Sequence, residues 1–211
     1  MPVFKSLCCS LFVGVFLSCN ITMAQEIETA NTPLKKGRQY NEKQAYQELI
    51  QSYSIAADKG DISKMYILGF FYDSGIGVKQ DYQQAMQWYL KAADKGNAKA
   101  MNNIGFLYLQ GNGVKQNYRQ AMQWYLKAAD KNNPPSMYSI GYLYKYGLGV
   151  QQDYQQAMYW YLMAANKGNI DAMKAVGYQY MFGLGVKEDH EQAIQWYEKA
   201  QKLREEQNAQ Q

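Results

Sequence analysis

Few side chains in this 211-residue chain could carry out acid–base, nucleophilic or metal chemistry. The only histidine, His190, stands between Asp189 and Glu191, and a single histidine does not make a metal site. No serine is followed by lysine at the third position and no KTG motif occurs, so the signature of serine penicillin-recognising enzymes is missing. The sequence therefore predicts a protein that is not an enzyme, with no catalytic, cofactor-binding or metal-binding residues.

The first 24 residues have the pattern of a secretory signal peptide. Lys5 gives a positive start, residues 7–17 are almost all apolar, and small or tolerated residues lead up to Ala24. This apolar run is shorter than the roughly 18 residues of a membrane-spanning helix. We expect cleavage near Ala24 and a periplasmic or secreted mature chain with no integral membrane span; lipid attachment at Cys19 is the alternative. Cleavage would remove every thiol, since all the cysteines lie in this segment: Cys8, Cys9 and Cys19.

The side chains best suited to bind a partner form a stripe along a predicted helix that occurs in four similar copies. In each copy they stand at i, i+4 and i+7, which places them on one face of the helix. In the four copies of that helix they are Tyr66, Phe70 and Asp73; Asn102, Phe106 and Leu109; Tyr138, Tyr142 and Lys145; and Lys174, Tyr178 and Met181. Aromatic rings mixed with amide and lysine groups suit a groove for a peptide or protein segment. The alternative is that the column of Phe70 packs one copy against the next.

These copies are tandem repeats. Four glycines stand 36 residues apart, in nearly identical surroundings: Gly69, Gly105, Gly141 and Gly177. The units run over 61–96, 97–132, 133–168 and 169–203, and a half unit at 41–60 precedes them as an N-terminal capping helix. Repeats of this length bury their apolar surface against their neighbours, so the array predicts a solenoid.

Each unit reads as two helices, A and B. In the first unit Asp61 is a good N-cap, the apolar spacing predicts helix A over about 62–73, and the paired glycines that follow allow a sharp turn. Asp81, followed by Gln84, predicts a capping box at the start of helix B. Helix B ends at glycine, or at Asn132 in the second unit, because asparagine also tolerates the left-handed conformation.

The columns shared by all units predict the core. Glycine at the position of Gly69 and alanine at the position of Ala85 indicate close approach of helix A to helix B. The aromatic columns are also predicted to be core, namely those of Tyr72, Tyr82, Trp88 and Tyr89.

These residues resemble the Sel-1-like repeat family, relatives of the tetratricopeptide repeats, whose pattern of LG, GxGV, WYxKAA and a closing glycine recurs four times from Asp61 to about Leu203. Methionine stands where the family more often has alanine, at Met65, Met101, Met137 and Met173. The resemblance implies an all-α fold, a right-handed α/α superhelix of about four and a half repeats. It further implies helices A lining a concave surface and a role as adaptor or scaffold in protein assemblies.

The ends of the array differ from its interior. Glu198 and Gln201 replace apolar residues of the earlier units, which is expected where no later repeat covers the helix. Residues 204–211 are predicted to be a polar C-terminal tail that extends the last helix, and residues 25–40 a flexible leader.

Three functions remain open at this point. The first is an exported, non-enzymatic adaptor that binds a protein or peptide partner in the cell envelope or outside the cell. The second is a cell-envelope hydrolase or a carbohydrate- or peptidoglycan-binding protein, including β-lactamase-like relatives, with Asp73 and neighbouring tyrosines as its polar centre. The third is a secreted factor that acts on a host. Nucleic acid is not an expected partner, since the net charge is only +4.

Overall fold

The computed structural model describes residues 42–209, and within that range it contains nine helices and no strands. The predicted signal peptide, the leader at 25–40 and the last two residues of the tail lie outside the described residues. The helices are α1 (Glu42–Asp58), α2 (Ile62–Ser74), α3 (Tyr82–Asp94), α4 (Ala98–Gln110), α5 (Tyr118–Asp130), α6 (Pro134–Tyr146), α7 (Tyr154–Ala165), α8 (Ile170–Met181) and α9 (His190–Ala209).

The described helices form the predicted all-α solenoid. Helix α1 is the half unit, α2, α4, α6 and α8 are the A helices, and α3, α5, α7 and α9 are the B helices. Each helix packs against the next along the chain, most extensively between A and B of one unit, and the A helices of repeats 1 and 2 also touch directly. The apolar faces therefore merge into one core, in which Leu68 and Phe71 are fully buried.

The A helices begin where the N-cap residues predict. The Asp61 carboxylate accepts a hydrogen bond from the backbone N–H of Lys64 at 3.0 Å. Asparagine does the same in the other three units, and in repeat 3 a proline occupies the first helical position. These side chains satisfy first-turn N–H groups that have no partner within the helix.

The predicted capping box of helix B is only half right. The Asp81 carboxylate accepts from the backbone N–H groups of Gln83 and Gln84, each at 3.0 Å. The N–H of Asp81, however, donates to the Tyr72 carbonyl at 2.8 Å and not to the Gln84 side chain, and the other three units repeat this bond. The reason is the tight turn, which brings the last turn of helix A against the start of helix B and lets backbone tie the two together.

The close approach of helix A to helix B is confirmed, and the partner is a tyrosine ring. A Cβ atom added to Gly69 would lie 2.5 Å from the ring of Tyr89, and Gly105 and Gly141 face the equivalent tyrosines in the same way. The left-handed conformation at the end of helix B is also confirmed, because Asn132 has φ of 59° where the other units have glycine.

The aromatic core is smaller than predicted. Tyr89 and its equivalents in repeats 2 and 3 are at most 1% exposed, but Tyr72, Tyr82 and Trp88 are only half-buried. The Lys91 ammonium lies 3.9 Å from the centroid of the Trp88 ring, and repeats 2 and 4 contain the same pair. A tryptophan can stay at the surface here because the lysine covers its face with a cation–π contact and an apolar stem.

The last helix shows the predicted change in burial at one of its two positions, because the column of Glu198 is already half-buried or exposed in the earlier units. Gln201 is exposed, whereas the alanines at its position in the earlier units are buried. The helix α9 continues to Ala209 with exposed side chains, so residues 204–209 of the predicted tail are helical.

Candidate functional site

The predicted stripe divides into a buried half and an accessible half. Five of its residues are only 3–7% exposed: Tyr66, Phe70, Asp73, Leu109 and Tyr138. Tyr178 is 40% exposed, and the other six are half-buried: Asn102, Phe106, Tyr142, Lys145, Lys174 and Met181. Repeat 1 therefore offers none of its three residues to a partner, which supports the packing role for Phe70. Repeat 4 offers all three.

Internal contacts account for the burial in repeat 1. The Tyr89 hydroxyl donates a hydrogen bond to Asp73 Oδ2 at 3.1 Å, and the ring of Tyr66 lies 5.9 Å from that of Tyr89. Burial raises the pKa of Asp73 from 3.8 to about 6, and the bond from Tyr89 lowers it in part. Burial, followed by the charge of Asp73, raises the pKa of Tyr89 well above its ordinary value. Asp73 is thus enclosed by protein, and the polar centre required by the hydrolase hypothesis is not open to a substrate.

Asn102 connects two repeats. The Ser136 hydroxyl oxygen lies 2.8 Å from Asn102 Oδ1 and 2.9 Å from Asn133 Oδ1. Ser136 is fully buried, and its contact with Asn102 joins the A helices of repeats 2 and 3, whereas its contact with Asn133 lies within repeat 3.

At the accessible half of the stripe lies a cluster of aromatic rings from repeats 3 and 4. The rings of Tyr142 and Tyr146 have centroids 4.6 Å apart, and those of Tyr178 and Phe182 are also 4.6 Å apart. The Lys145 ammonium lies 4.0 Å from the Tyr178 centroid and 5.2 Å from the Tyr146 centroid, so it bridges the two pairs. We call these five residues the aromatic patch.

Two members of the aromatic patch are missing from the predicted stripe. Tyr146 is 47% exposed and Phe182 is 56% exposed. Both are more exposed than Tyr178, the most exposed residue of the stripe at 40%. They occupy the column of Ser74 and Gln110, one position beyond the predicted stripe at the end of helix A. An aromatic residue four positions after Tyr142 would have been the sequence signal, because i and i+4 side chains meet on a helix.

Lys145 carries the charge of the aromatic patch. It is half-buried, and burial lowers the pKa of its ammonium. Within residues 44–209 no carboxylate lies within 4.0 Å of Lys145 Nζ, whereas Lys174 on the neighbouring helix pairs with Asp171 at 3.7 Å. Within the described residues, the aromatic rings of Tyr146 and Tyr178 are therefore the groups that stabilise the positive charge of Lys145.

Other chemistry is sparse in the described part of the chain. Residues 42–209 contain no group of three or more histidine, cysteine or acidic side chains placed to hold a metal ion. His190 is exposed, and its Nε2 lies 2.8 Å from Glu188 Oε1. Over the same residues, none of the helices combines the length and apolar character needed to cross a bilayer. The aromatic patch has a different capacity, since rings can receive apolar groups and the ammonium an anion.

Comparison with known protein families finds one family of repeats, which matches most of this solenoid. The family described as Sel1 repeat matches residues 65–97, 98–133, 134–169 and 170–202, the same four units that the glycine spacing predicts within a few residues. No match was found among curated proteins.

Solved structures of repeat proteins share the fold. A Sel1 repeat protein from Oxalobacter formigenes is 37% identical over 75% of this chain, with a TM-score of 0.63. A protective antigen of uropathogenic Escherichia coli that displays an SLR fold is 34% identical over 83% of the chain, with a TM-score of 0.68. Helicobacter pylori cysteine rich protein B is 26% identical over 63% of this chain and 95% of its own, with a TM-score of 0.50. The chain spans 63% of the Oxalobacter protein and 40% of the Escherichia coli antigen.

Proposed function

The chain belongs to the Sel1 repeat family, and from this premise we propose that it is an exported, non-enzymatic adaptor that holds a protein partner against its A helices. Sel1 repeats are commonly scaffolds for protein interactions. The observation that carries the proposal is the aromatic patch, whose exposed rings lie together on one surface of repeats 3 and 4.

Exposed aromatic side chains that cluster are typical of protein-binding surfaces. Large apolar groups grouped on a surface mark interaction sites, and tyrosine is enriched among the residues that contribute most to binding. The rings of the aromatic patch come from two neighbouring repeats, so a bound segment would lie across the solenoid. By the family resemblance this surface is the concave one.

Export is the second part of the proposal. Its support is the signal pattern of residues 1–24, from which we infer a partner in the cell envelope or outside the cell. Mass spectrometry of the purified native protein is expected to find an N-terminus at Gln25. A lipid-modified Cys19 would instead mean a tethered adaptor.

Cross-linking in the native host tests the adaptor function. The tagged protein is compared with a double variant, Tyr178→Ala with Phe182→Ala, and with a control double variant, Tyr159→Ala with Ile194→Ala. The control residues are likewise exposed, at 54% and 52%, but lie on the B helices of repeats 3 and 4. We expect a partner that the first variant loses and the control retains. Equal recovery with all three proteins would contradict the proposal.

A further inference from the structure

The positive charge of the aromatic patch is not required by the repeat fold. The residues at the position of Lys145 in the other units are Asp73, Leu109 and Met181. Two of these are buried, one is half-buried, and none is basic. The same place in the fold thus accepts an acid or an aliphatic side chain, so packing does not explain a lysine in repeat 3.

The surroundings of the Lys145 ammonium favour an incoming anion. A half-buried charge has lost part of its hydration, which costs free energy unless a partner replaces the water. The rings of Tyr146 and Tyr178 replace some of it, but the side chains described from residue 44 to 209 place no carboxylate within 4.0 Å of Nζ. A carboxylate from outside would form a charge-assisted hydrogen bond there, which is among the stronger kinds in proteins.

The rings define what must stand next to that anion. One aromatic pair comes from α6 and the other from α8 and its C-cap residue Phe182, and Lys145 lies between them. The rings within each pair are inclined at 50° and 49°, so they form two wedges and not a flat platform. Wedges of this kind suit aliphatic or aromatic side chains better than the flat face of a sugar.

We propose that the aromatic patch binds an acidic peptide segment of the protein partner. A carboxylate of the segment bonds to Lys145 Nζ, and apolar side chains beside it enter the two ring pairs. The inference rests on the proposed adaptor function and names the chemistry of its partner. The rings supply a docking surface, and the single lysine supplies the preference for acid.

Selection from a library of random twelve-residue peptides displayed on phage tests the preference. The library is selected in parallel on the wild-type protein, on the variant Lys145→Met and on the double variant Tyr178→Ala with Phe182→Ala. Methionine is the residue that repeat 4 has at the equivalent position, so the first variant is expected to fold. Circular dichroism and thermal melting check that all three proteins are folded.

We expect the wild-type protein to enrich peptides with Asp or Glu flanked by apolar residues, and Lys145→Met to lose the acidic preference. Replacing the acid of an enriched peptide by its amide should weaken binding to the wild type about 5-fold, the effect of one partly exposed charge pair, and leave binding to Lys145→Met unchanged. Enriched peptides without acid would overturn this inference while leaving the adaptor function intact. If the wild-type protein enriches no peptides beyond those that the double variant enriches, both this inference and the proposed adaptor function would be overturned.

Discussion

Replacing Asp73 by asparagine should make the protein more stable at neutral pH. The carboxyl group is 7% exposed, and its environment raises its pKa from 3.8 to about 6. At about 1.4 kcal/mol per pH unit, ionising this buried group costs the folded state roughly 3 kcal/mol. Asparagine removes that cost, and its side-chain oxygen can still accept the hydrogen bond from Tyr89. For a domain of this size the gain corresponds to a melting temperature about 6–12 °C higher.

The direction of the pH dependence follows from the raised pKa. Between the ordinary value of 3.8 and about 6 the unfolded chain has released the Asp73 proton while the folded chain retains it. Because the folded state then binds more protons, stability falls as the pH rises through this window and levels off above it. Wild-type protein and Asp73→Asn should therefore be about equally stable below the window, and the variant should be more stable above it.

Urea unfolding followed by circular dichroism, in steps from about pH 4 to pH 8, measures this difference directly. Asp94→Asn is the matched control, because Asp94 is an exposed aspartate at the end of helix B in the same repeat. We expect the advantage of Asp73→Asn to grow with pH and that of the control to stay small. A constant difference, or a wild-type protein that is more stable at pH 8, would refute the reasoning.

Five further substitutions test the packing and the helix caps by thermal melting. Gln179 is fully buried where two preceding repeats have leucine; its Nε2 donates to the Tyr154 carbonyl at 3.0 Å, but its Oε1 has no hydrogen-bond partner among the described residues. Gln179→Leu removes that bond together with the unsatisfied acceptor, so it should stabilise the protein by about 1 kcal/mol at most. Gly69→Ala should lower the free energy of unfolding by about 1–3 kcal/mol, because the added Cβ meets a buried tyrosine ring. Gly96→Asn should lower it only a little, because Gly96 occupies a left-handed position that asparagine fills in repeat 2. Asp81→Ala should lower the free energy of unfolding by about 0.5–2 kcal/mol and Gln84→Ala should leave it almost unchanged, because only the aspartate caps the helix. Equal losses of stability in the two variants would show that Gln84 takes part in the cap after all.

Much of the fold could be predicted because its signals are local and repeated. An N-cap such as Asp61 acts on its own first turn, and a residue such as Asn132 is chosen by its own backbone angle. Four copies of each signal turn a weak preference into a clear pattern. The partner of the Asp81 backbone N–H was predicted wrongly. That bond depends on how helix A approaches helix B, and the spacing of residues within helix B carries no information about this approach.

The candidate site was predictable only in outline. Helical periodicity places Phe70 and Tyr178 in the same column, yet one is 3% exposed and the other 40% exposed. Their difference arises from what neighbouring helices place over each ring. The same holds for Trp88, which the pattern assigns to the core and which lies half-buried beneath a lysine.

The sequence by itself determined the repeat length, the helix boundaries, the left-handed turns and the family, since each depends on residues close together in the chain. Only the tertiary structure decided which columns are covered, that Asp73 is enclosed, and that Lys145 meets the ring of Tyr178 from the next repeat. Burial and desolvation depend on groups that are distant in sequence, so they appear only when the helices are stacked.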